Sequence, residues 1–572
     1  MDVEQLINTH FPFKEFRHQQ YEAIEKIINS LNRNKYFILE SPTGVGKSVV
    51  GYTVTKCLLD IKRNNIERRE DPPVIICTST KQLQKQYIDS FKNQKDVQFI
   101  WSAQNYPCDF YYELEGTDEK VYFGHPLCMG KKCSTIDSCQ YLIQKRKFMK
   151  SKIGITNYHY FMNNQKLKPL YLICDEAHNL EKILGDMALI LLSERSLISF
   201  SNNILRNSSI KSIGLSKFIN QVRNLAVKDN INVKDDILPY VENFISHFQP
   251  IYDKVTDELE ERSENVNRKD KTEMDKLAKL SKTQRSIENN LEKYKKFRDS
   301  KTNWVISERV KEYENHKLKI KPIEIFEYFN EHIGHRVNNT IFMSATICGF
   351  DEFAKLLGIK DQGYDGMETD SIIPVENRTV YYCKNVGSLN YKNKYNLLPK
   401  FVEVIDRIIK YQFDKKNGDK KINGIIHSVS YDNANYIKKH SKYKRDIIVP
   451  TRNDLMDLNY HILNRKKNTV IVSPSILEGI DLIDDLSRFQ IFIKVPFGFL
   501  GDQWVKTKMN NDGKWYARDA IVKIVQGCGR SIRSEKDWAE TFILDSNFGR
   551  LSTHNKDLFP KWFMESIKSV NV

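Results

Sequence analysis

The sequence predicts an α/β protein organised on parallel sheets, and three observations carry that prediction. Short β-rich apolar runs recur along the 572 residues, at 36–39, 74–77, 170–174, 340–343, 424–427, 469–472, 490–495 and 541–544, and each ends in a polar turn. Helical stretches separate many of them, the alternation that builds a parallel sheet covered by helices. The residues with chemical potential lie just after these runs, at the carboxyl ends of the expected strands, where open α/β sheets gather their ligands.

At 572 residues the chain exceeds what one hydrophobic core usually organises, and its 40% apolar content is enough to fill three or four domains. Lys and Arg outnumber Asp and Glu 89 to 73, a net charge of +16. That excess favours a polyanionic partner such as nucleic acid over a membrane surface, with plain solubility as the alternative. No apolar stretch approaches the length needed to span a bilayer, and Met1-Asp-Val-Glu-Gln lacks the basic and apolar regions of a secretory signal, so a cytoplasmic protein is expected. In a reducing compartment clustered cysteines are metal ligands sooner than disulfides. Cys108, Cys128, Cys133 and Cys139 form such a cluster, C-x19-C-x4-C-x5-C, whereas Cys57, Cys77, Cys174, Cys348, Cys383 and Cys528 are scattered and read as core positions.

Between about 185 and 335 the strand-and-turn signal stops, which marks an insertion. Residues 251–321 contain neither Gly nor Pro, and Met274, Leu277, Leu280, Ile287, Leu291 and Tyr294 follow a three-four spacing amid dense charge. A long helical hairpin is expected there. The alternative is a charged helix with no role beyond solvation.

The first run feeds Ser41-Pro-Thr-Gly44-Val-Gly46-Lys47-Ser48, a turn that offers backbone N–H groups, a helix N-terminus and one cation to phosphate oxygens. Ser41 stands where the usual pattern has its first Gly, but the phosphate-contacting part is intact. Lys47 is expected to neutralise the terminal phosphates and Ser48 to ligate Mg²⁺. After the third run comes Asp175-Glu176-Ala-His178: Asp175 is expected to hold the metal and Glu176 to polarise the attacking water. His178 is expected to couple this site to the second half of the chain. Near the C-terminus, Gln526-Gly-Cys-Gly-Arg530-Ser-Ile-Arg533 sets two arginines three apart, on one helix face, as arginine fingers that reach phosphate across a cleft. A site so divided implies two lobes that close on ATP.

These residues, in this order, resemble the iron–sulfur superfamily 2 DNA helicases of the XPD/DinG type over nearly the whole chain. Arg17-His-Gln-Gln20 resembles the element that recognises adenine, and Thr78-Ser-Thr80-Lys-Gln-Leu83 the motif that touches the DNA backbone. Asn105-Tyr106-Pro107-Cys108 resembles the entry to the cluster domain, and Thr156-Asn157-Tyr158-His159 the return to the motor. Met343-Ser344-Ala345-Thr346 is similar to the motif that couples hydrolysis to DNA. Ser473-Pro-Ser-Ile-Leu-Glu478-Gly479-Ile-Asp481 is similar to the nucleotide-facing motif of the second lobe, and Lys494-Val-Pro496-Phe497 completes the set. One departure stands out: family members commonly carry Gly-Arg before the cluster entry, where this chain has Ser102-Ala103-Gln104-Asn105.

The resemblance implies two RecA-like motor domains with an inserted Fe–S cluster domain and a mainly helical arch domain. The expected division is helicase domain 1 from 1–100, 151–185 and 336–372, the cluster domain at 101–150, the arch at 186–335 and helicase domain 2 at 373–572. Spacing alone leaves thiolate-bound zinc and an Fe–S cluster both open; the resemblance selects [4Fe-4S] on the four clustered cysteines, with spacing nearer the DinG branch. No nuclease domain is expected ahead of the motor. Around the cluster, aromatics including Trp101, Tyr106, Tyr111 and Tyr122 are interleaved with Lys145, Arg146 and Lys147, so that base stacking and phosphate contact are expected, with simple packing of a small domain as the alternative.

The expected function is therefore an ATP-dependent DNA helicase that uses ATP, Mg²⁺ and the cluster. It would move on single-stranded DNA, 5′→3′ by resemblance, unwind forked or tailed duplexes in repair, recombination or replication, and act as a monomer without a membrane. The expected DNA contacts are Thr80, Tyr106, Tyr158, Ser344 and Thr346, and the expected nucleotide contacts include Arg17, Gln20, Gly44, Gly46, Glu478, Gly479 and Asp481. Two alternatives are an RNA helicase, since backbone gripping scarcely separates DNA from RNA, and a catalytically weak single-strand-binding scaffold.

Overall fold

In the computed structural model the chain is described at residues 2–61, 69–91, 93–107, 137–267, 270–390, 392–415, 422–450, 468–474, 484–532 and 535–571. Among these described residues, two seven-stranded sheets, each wholly parallel, form the two lobes. Across the first, the strands run Tyr364–Glu368, Tyr36–Glu40, Asn339–Ser344, Tyr171–Asp175, Val74–Thr78, Ile153–Asn157 and Val97–Phe99. Across the second they run Ile447–Ile448, Val470–Ser473, Gly424–His427, Phe489–Phe492, Glu540–Asp545, Val380–Gly387 and Ile567–Asn571. Strands Tyr36–Glu40, Val74–Thr78 and Tyr171–Asp175 are buried along their whole length, as parallel strands covered on both faces require.

Strand order places the chemistry. Tyr36–Glu40, Asn339–Ser344 and Tyr171–Asp175 are adjacent, in register from Tyr36↔Thr340 to Glu40↔Ser344 and from Tyr171↔Asn339 to Asp175↔Met343. The phosphate loop, the Ser344-Ala-Thr346 turn and the Asp175-Glu176 pair thus leave neighbouring strand ends on one edge of the sheet, although some 300 residues separate the first two in sequence.

The insertion is helical with one correction. Helices Val233–Asn265 and Lys271–Asp299 form the hairpin, and Met274, Leu277, Leu280, Ile287, Leu291 and Tyr294 are all buried along it. The first limb starts well before residue 251 and carries Pro239 and Pro250 inside the helix. Proline costs helix stability, and here aromatic packing offsets it: Phe244 and Phe248 stack at 4.2 Å, and Phe244 meets Tyr294 edge-on at 4.5 Å. The Gly- and Pro-free stretch does not stay helical. Trp304–Val310 and Lys317–Pro322 are strands that join Ile190–Ser193 in a three-stranded antiparallel sheet at the base of the hairpin. Among the described residues, no helix is long and apolar enough to cross a membrane.

Candidate nucleotide and nucleic-acid site

The phosphate loop is held by its own lobe. Gly44 and Gly46 take φ of 90° and 92°, a backbone region open to glycine, and a Cβ at Gly46 would lie 2.6 Å from Gln20 Nε2. Gln20 is buried and donates that Nε2 to Val45 O at 2.7 Å, while Arg17 Nη1 donates to Gly44 O at 2.6 Å. Arg17 N in turn donates to Gln20 Oε1 at 2.9 Å, so the two residues brace the loop from behind. Lys47 opens helix Lys47–Ile61 and its Nζ donates to Ser41 O at 3.0 Å, folded over the loop that would receive phosphate. Ser41, the departure from the usual glycine, accepts a hydrogen bond from Thr369 Oγ1 at 2.8 Å and thereby ties the loop to the connection between the lobes.

Asp175 ends its strand fully buried. Burial and the neighbouring Glu176 push its carboxyl up to about 7, against the opposing pull of Lys47 and Tyr87. The Tyr87 phenol, itself buried, faces both Asp175 and Ser48. Ser48 and Asp175 supply hard oxygen donors of the kind Mg²⁺ prefers, so this donor set fits the ion. Glu176 adopts the left-handed conformation, φ 53°, rare for a residue with a side chain. Its N–H is satisfied by Asp175 Oδ1 at 3.0 Å.

His178 is the junction. Its Nδ1 lies 2.8 Å from Ser344 Oγ and 3.3 Å from Glu176 Oε2, and its Nε2 accepts from Gln526 Nε2 at 2.5 Å. Gln526 comes from helix Gly513–Cys528 of the second lobe and also donates to Thr346 Oγ1 at 3.0 Å. Beside it, Thr43 of the phosphate loop donates to Ile532 O at 3.4 Å. A cavity of about 570 Å³ opens between the lobes, lined by Thr43, Glu176, His178 and Thr346 on one side and by Gln526, Gly529 and Arg530 on the other. The same cavity extends past Ser79 and Thr80 to His159 and Lys182.

Burial corrects most of the expected DNA contacts. Tyr158 is 1% exposed and its hydroxyl donates to Asp175 O at 2.8 Å. Tyr106 is 8% exposed, packs on Trp101 and Tyr141, and its hydroxyl accepts the Trp101 N–H at 3.2 Å. Neither ring presents a face to a base; each fills core that a short local sequence does not otherwise supply. Ser344 and Thr346 are buried too, with their hydroxyls engaged by His178 and Gln526. Thr80 alone of the five is exposed, and its Oγ1 accepts from Leu83 N at 3.2 Å at the start of helix Lys81–Phe91. Cys139 is half-buried at the start of helix Gln140–Met149. Cys108, Cys128, Cys133, Glu478, Gly479, Asp481 and Arg533 lie outside the described residues.

The sequence reading missed Tyr87 and Thr369, which touch the site only because distant segments fold onto it. It also missed a charged cluster at the seam. Glu181, three residues past His178, accepts from Lys508 Nζ and from Trp515 Nε1, at 2.9 and 3.0 Å to its two oxygens in the latter case.

Comparison with known proteins agrees with this geometry. The helicase C-terminal domain family matches residues 405–566, and the family described as type III restriction enzyme, res subunit, matches residues 13–216. The chain is 23% identical to the ATP-dependent DNA helicase XPD of Sulfolobus acidocaldarius over 94% of its own length and 96% of that protein's. It is also 23% identical to the 3′-5′ exonuclease DinG of Staphylococcus haemolyticus, over 95% of this chain and 69% of that one. Among solved structures, an XPD helicase superposes with a TM-score of 0.59 at 17% identity, covering 98% of this chain and all of the other. S. tokodaii Xpd4 gives 0.56 at 14% identity, over 97% of this chain and all of that one. The ordered motifs, the paired parallel sheets and relatives matched over more than nine-tenths of this chain make it similar to superfamily 2 helicases of the XPD/DinG type.

Proposed function

We propose that the protein is an ATP-dependent DNA helicase that translocates on single-stranded DNA and unwinds tailed or forked duplexes, moving 5′→3′ as a monomer. The observation that carries the reading is the seam itself: one cavity is walled by Thr43 of the phosphate loop and Glu176 from one lobe and by Gln526 and Arg530 from the other. ATP bound there touches both lobes, so binding favours the closed arrangement and product release relaxes it. Lobes that grip one strand alternately then move along it.

Within that site, exposed Arg17 recognises adenine while buried Gln20 braces the loop, and Gly44 and Gly46 let the loop N–H groups approach the phosphates. Lys47 neutralises the terminal phosphates. Ser48 and Asp175 would hold Mg²⁺, which would supply positive charge to the phosphate oxygens. Glu176 polarises the attacking water, Arg530 and Arg533 meet charge that develops on the transferred phosphoryl group, and Glu478, Gly479 and Asp481 complete the second wall. The His178–Gln526 bond supports a sensing role, since it joins the hydrolytic carboxylate's neighbour to the arginine-bearing helix. Thr80, exposed along the extension of the same cavity, contacts the DNA backbone. Cys108, Cys128, Cys133 and Cys139 would hold a [4Fe-4S] cluster, which would clamp a segment whose sequence has little apolar content. The division into two motor domains, a cluster domain and an arch follows from these assignments.

The test is anaerobic purification with iron and sulfide assay, ATPase with and without single-stranded DNA or RNA, and unwinding of 5′-tailed and 3′-tailed duplexes. About four irons per chain, lost in Cys139→Ser, together with DNA-stimulated ATPase abolished in Lys47→Ala and unwinding of 5′-tailed substrate, are the expected results. A parent whose ATPase ignores single strands refutes the motor. Preference for RNA or for 3′ tails refutes substrate or direction separately.

A further inference from the structure

Two buried ionisable groups that the hydrolytic scheme leaves unused meet on one turn at the lobe seam. Glu40 ends the strand that feeds the phosphate loop, and its Oε1 accepts the Cys348 N–H at 2.9 Å. Arg518 reaches in from helix Gly513–Cys528 of the second lobe, 5% exposed, and packs its guanidinium over the Phe353 ring at 5.6 Å. Its Nε donates to Ile347 O at 2.9 Å and to Cys348 O at 3.1 Å, and its Nη2 donates to Ile347 O at 2.7 Å. The segment between them is the turn that leaves Ser344-Ala-Thr346, with Cys348 at φ 57° and Gly349 at φ 93°. Its N–H side is bound by the residue before the phosphate loop, and its C=O side by the other lobe.

The same helix grips that turn a second time, through Gln526 on Thr346 Oγ1. Arg518 and Gln526 are eight residues apart, about 12 Å along a helix axis, yet both converge on residues 346–348. A helix pinned near both ends cannot pivot, and its far end carries Gly529 and Arg530 into the cavity beside Thr43 and Glu176. Burying a guanidinium against neutral carbonyls sacrifices hydration that only directed hydrogen bonds return. Arginine's planar fork can direct two nitrogens at one turn, which the point charge of lysine cannot.

We propose that Arg518 is a positioning residue for ATP hydrolysis: with Gln526 it docks helix Gly513–Cys528 on the 346–348 turn and so sets where Arg530 stands relative to the phosphate loop. The inference rests on the ATPase reading above. Arg518 does not line the cavity beside Glu176 and Arg530; it acts through the helix, and through the turn it communicates with Glu40 at the root of the phosphate loop.

The test uses full-length Arg518→Gln and Arg518→Lys, with steady-state ATPase on single-stranded DNA and binding of a fluorescent non-hydrolysable ATP analogue. Hydrogen bonds from a charged donor, converted at tenfold per about 1.4 kcal/mol, predict that Arg518→Gln lowers kcat about ten- to a hundredfold. KM and analogue affinity stay within about twofold, because the binding loop is untouched. Arg518→Lys recovers part of the loss. In a Gln526→Ala background, Arg518→Gln removes less than about twofold more, since the helix has already lost its far anchor. Unchanged kcat, a parallel loss of analogue affinity, or full additivity with Gln526→Ala overturns the proposal. If Arg518→Gln fails to fold, Arg518→Lys, which keeps the buried cation, decides alone by whether kcat falls at constant affinity. A parent without DNA-stimulated ATPase removes the motor reading and this one with it, whereas an active parent with indifferent variants removes only this one.

Discussion

Lys508→Met should destabilise the closed arrangement sharply, and the partner change should repair it. Lys508 is nearly buried, with its ammonium 5.0 Å from the Trp504 ring and 4.5 Å from the Trp515 ring, and it ion-pairs with Glu181 of the other lobe. Trp504 Nε1 donates at 2.8 Å to Pro322 O at the base of the helical insertion, so the cluster joins three parts of the molecule. Burial pushes the Glu181 carboxyl up, but Lys508 and Trp515 more than reverse this and hold it below the ordinary glutamate range. Met keeps the volume and the ring contacts while it removes the charge, leaving a largely buried carboxylate with the Trp515 N–H as its hydrogen-bond donor and Arg518 as the remaining nearby cation. Removing one partner of a buried pair costs about 3–5 kcal/mol, whereas replacing both is close to neutral. With roughly 2–4 °C of Tm per kcal/mol for a unit of 150–250 residues, the single variant should melt about 10 °C lower. The double variant, Glu181→Gln with Lys508→Met, should return most of that. Scanning calorimetry at fixed pH and salt reads both, as Tm rather than as one unfolding free energy, because several domains unfold. Since the folded carboxyl titrates below its unfolded value, the pair's contribution is present above about pH 4.5 and fades as pH falls through the folded pKa. An unshifted Tm in Lys508→Met, or a double variant as unstable as the single, refutes the argument.

Glu40 has the opposite sign. Burial, abetted by Glu368 and opposed by backbone N–H groups and Arg518, pushes its carboxyl up to about 8. The folded chain therefore keeps a proton that the unfolded chain releases above about pH 4.5, and stability drains away as pH rises toward 8 and then levels. Thermal scans from pH 5 to 8.5 should show the parent losing ground to Glu40→Gln by up to about 1.4 kcal/mol per pH unit; parallel curves refute it. Gly46→Ala places a methyl against the Gln20 amide at a φ unsuited to alanine, and should cost about 1–3 kcal/mol of loop stability and most ATP-analogue binding, read by fluorescence titration. Undiminished analogue affinity would show that the loop tolerates the shift.

The strands that were legible share one property: they are buried on both faces, so continuous apolar runs mark them. Val380–Gly387 was not legible because its burial alternates irregularly, nor was Tyr364–Glu368, a Tyr-Asp-Gly-Met-Glu strand with no apolar run. Lys317–Pro322 alternates buried and half-buried residues along Lys-Leu-Lys-Ile-Lys-Pro, a period-two signal that the absence of Gly and Pro obscured. In the site, Lys47, Ser48, Asp175 and Glu176 were readable because each is tied to a local strand-to-turn transition. Tyr106 and Tyr158 misled because an aromatic amid polar residues has the same spelling whether it stacks on a base or fills a small core.

By itself the sequence determined the α/β class, the helical insertion, the thiol cluster's spacing and the positions of the glycine-bearing loop and the acidic pair at strand ends, all of which depend on neighbours within one turn or one strand. Tertiary structure alone decided that Thr369 holds Ser41, that Gln526 meets His178, that Arg518 grips the 346–348 turn and that Lys508 is buried against Glu181. Those contacts span from about 170 to nearly 350 residues. Local propensity cannot encode them, because the partner's position is set by strand order and helix packing, which exist only once the two sheets have formed and closed on each other.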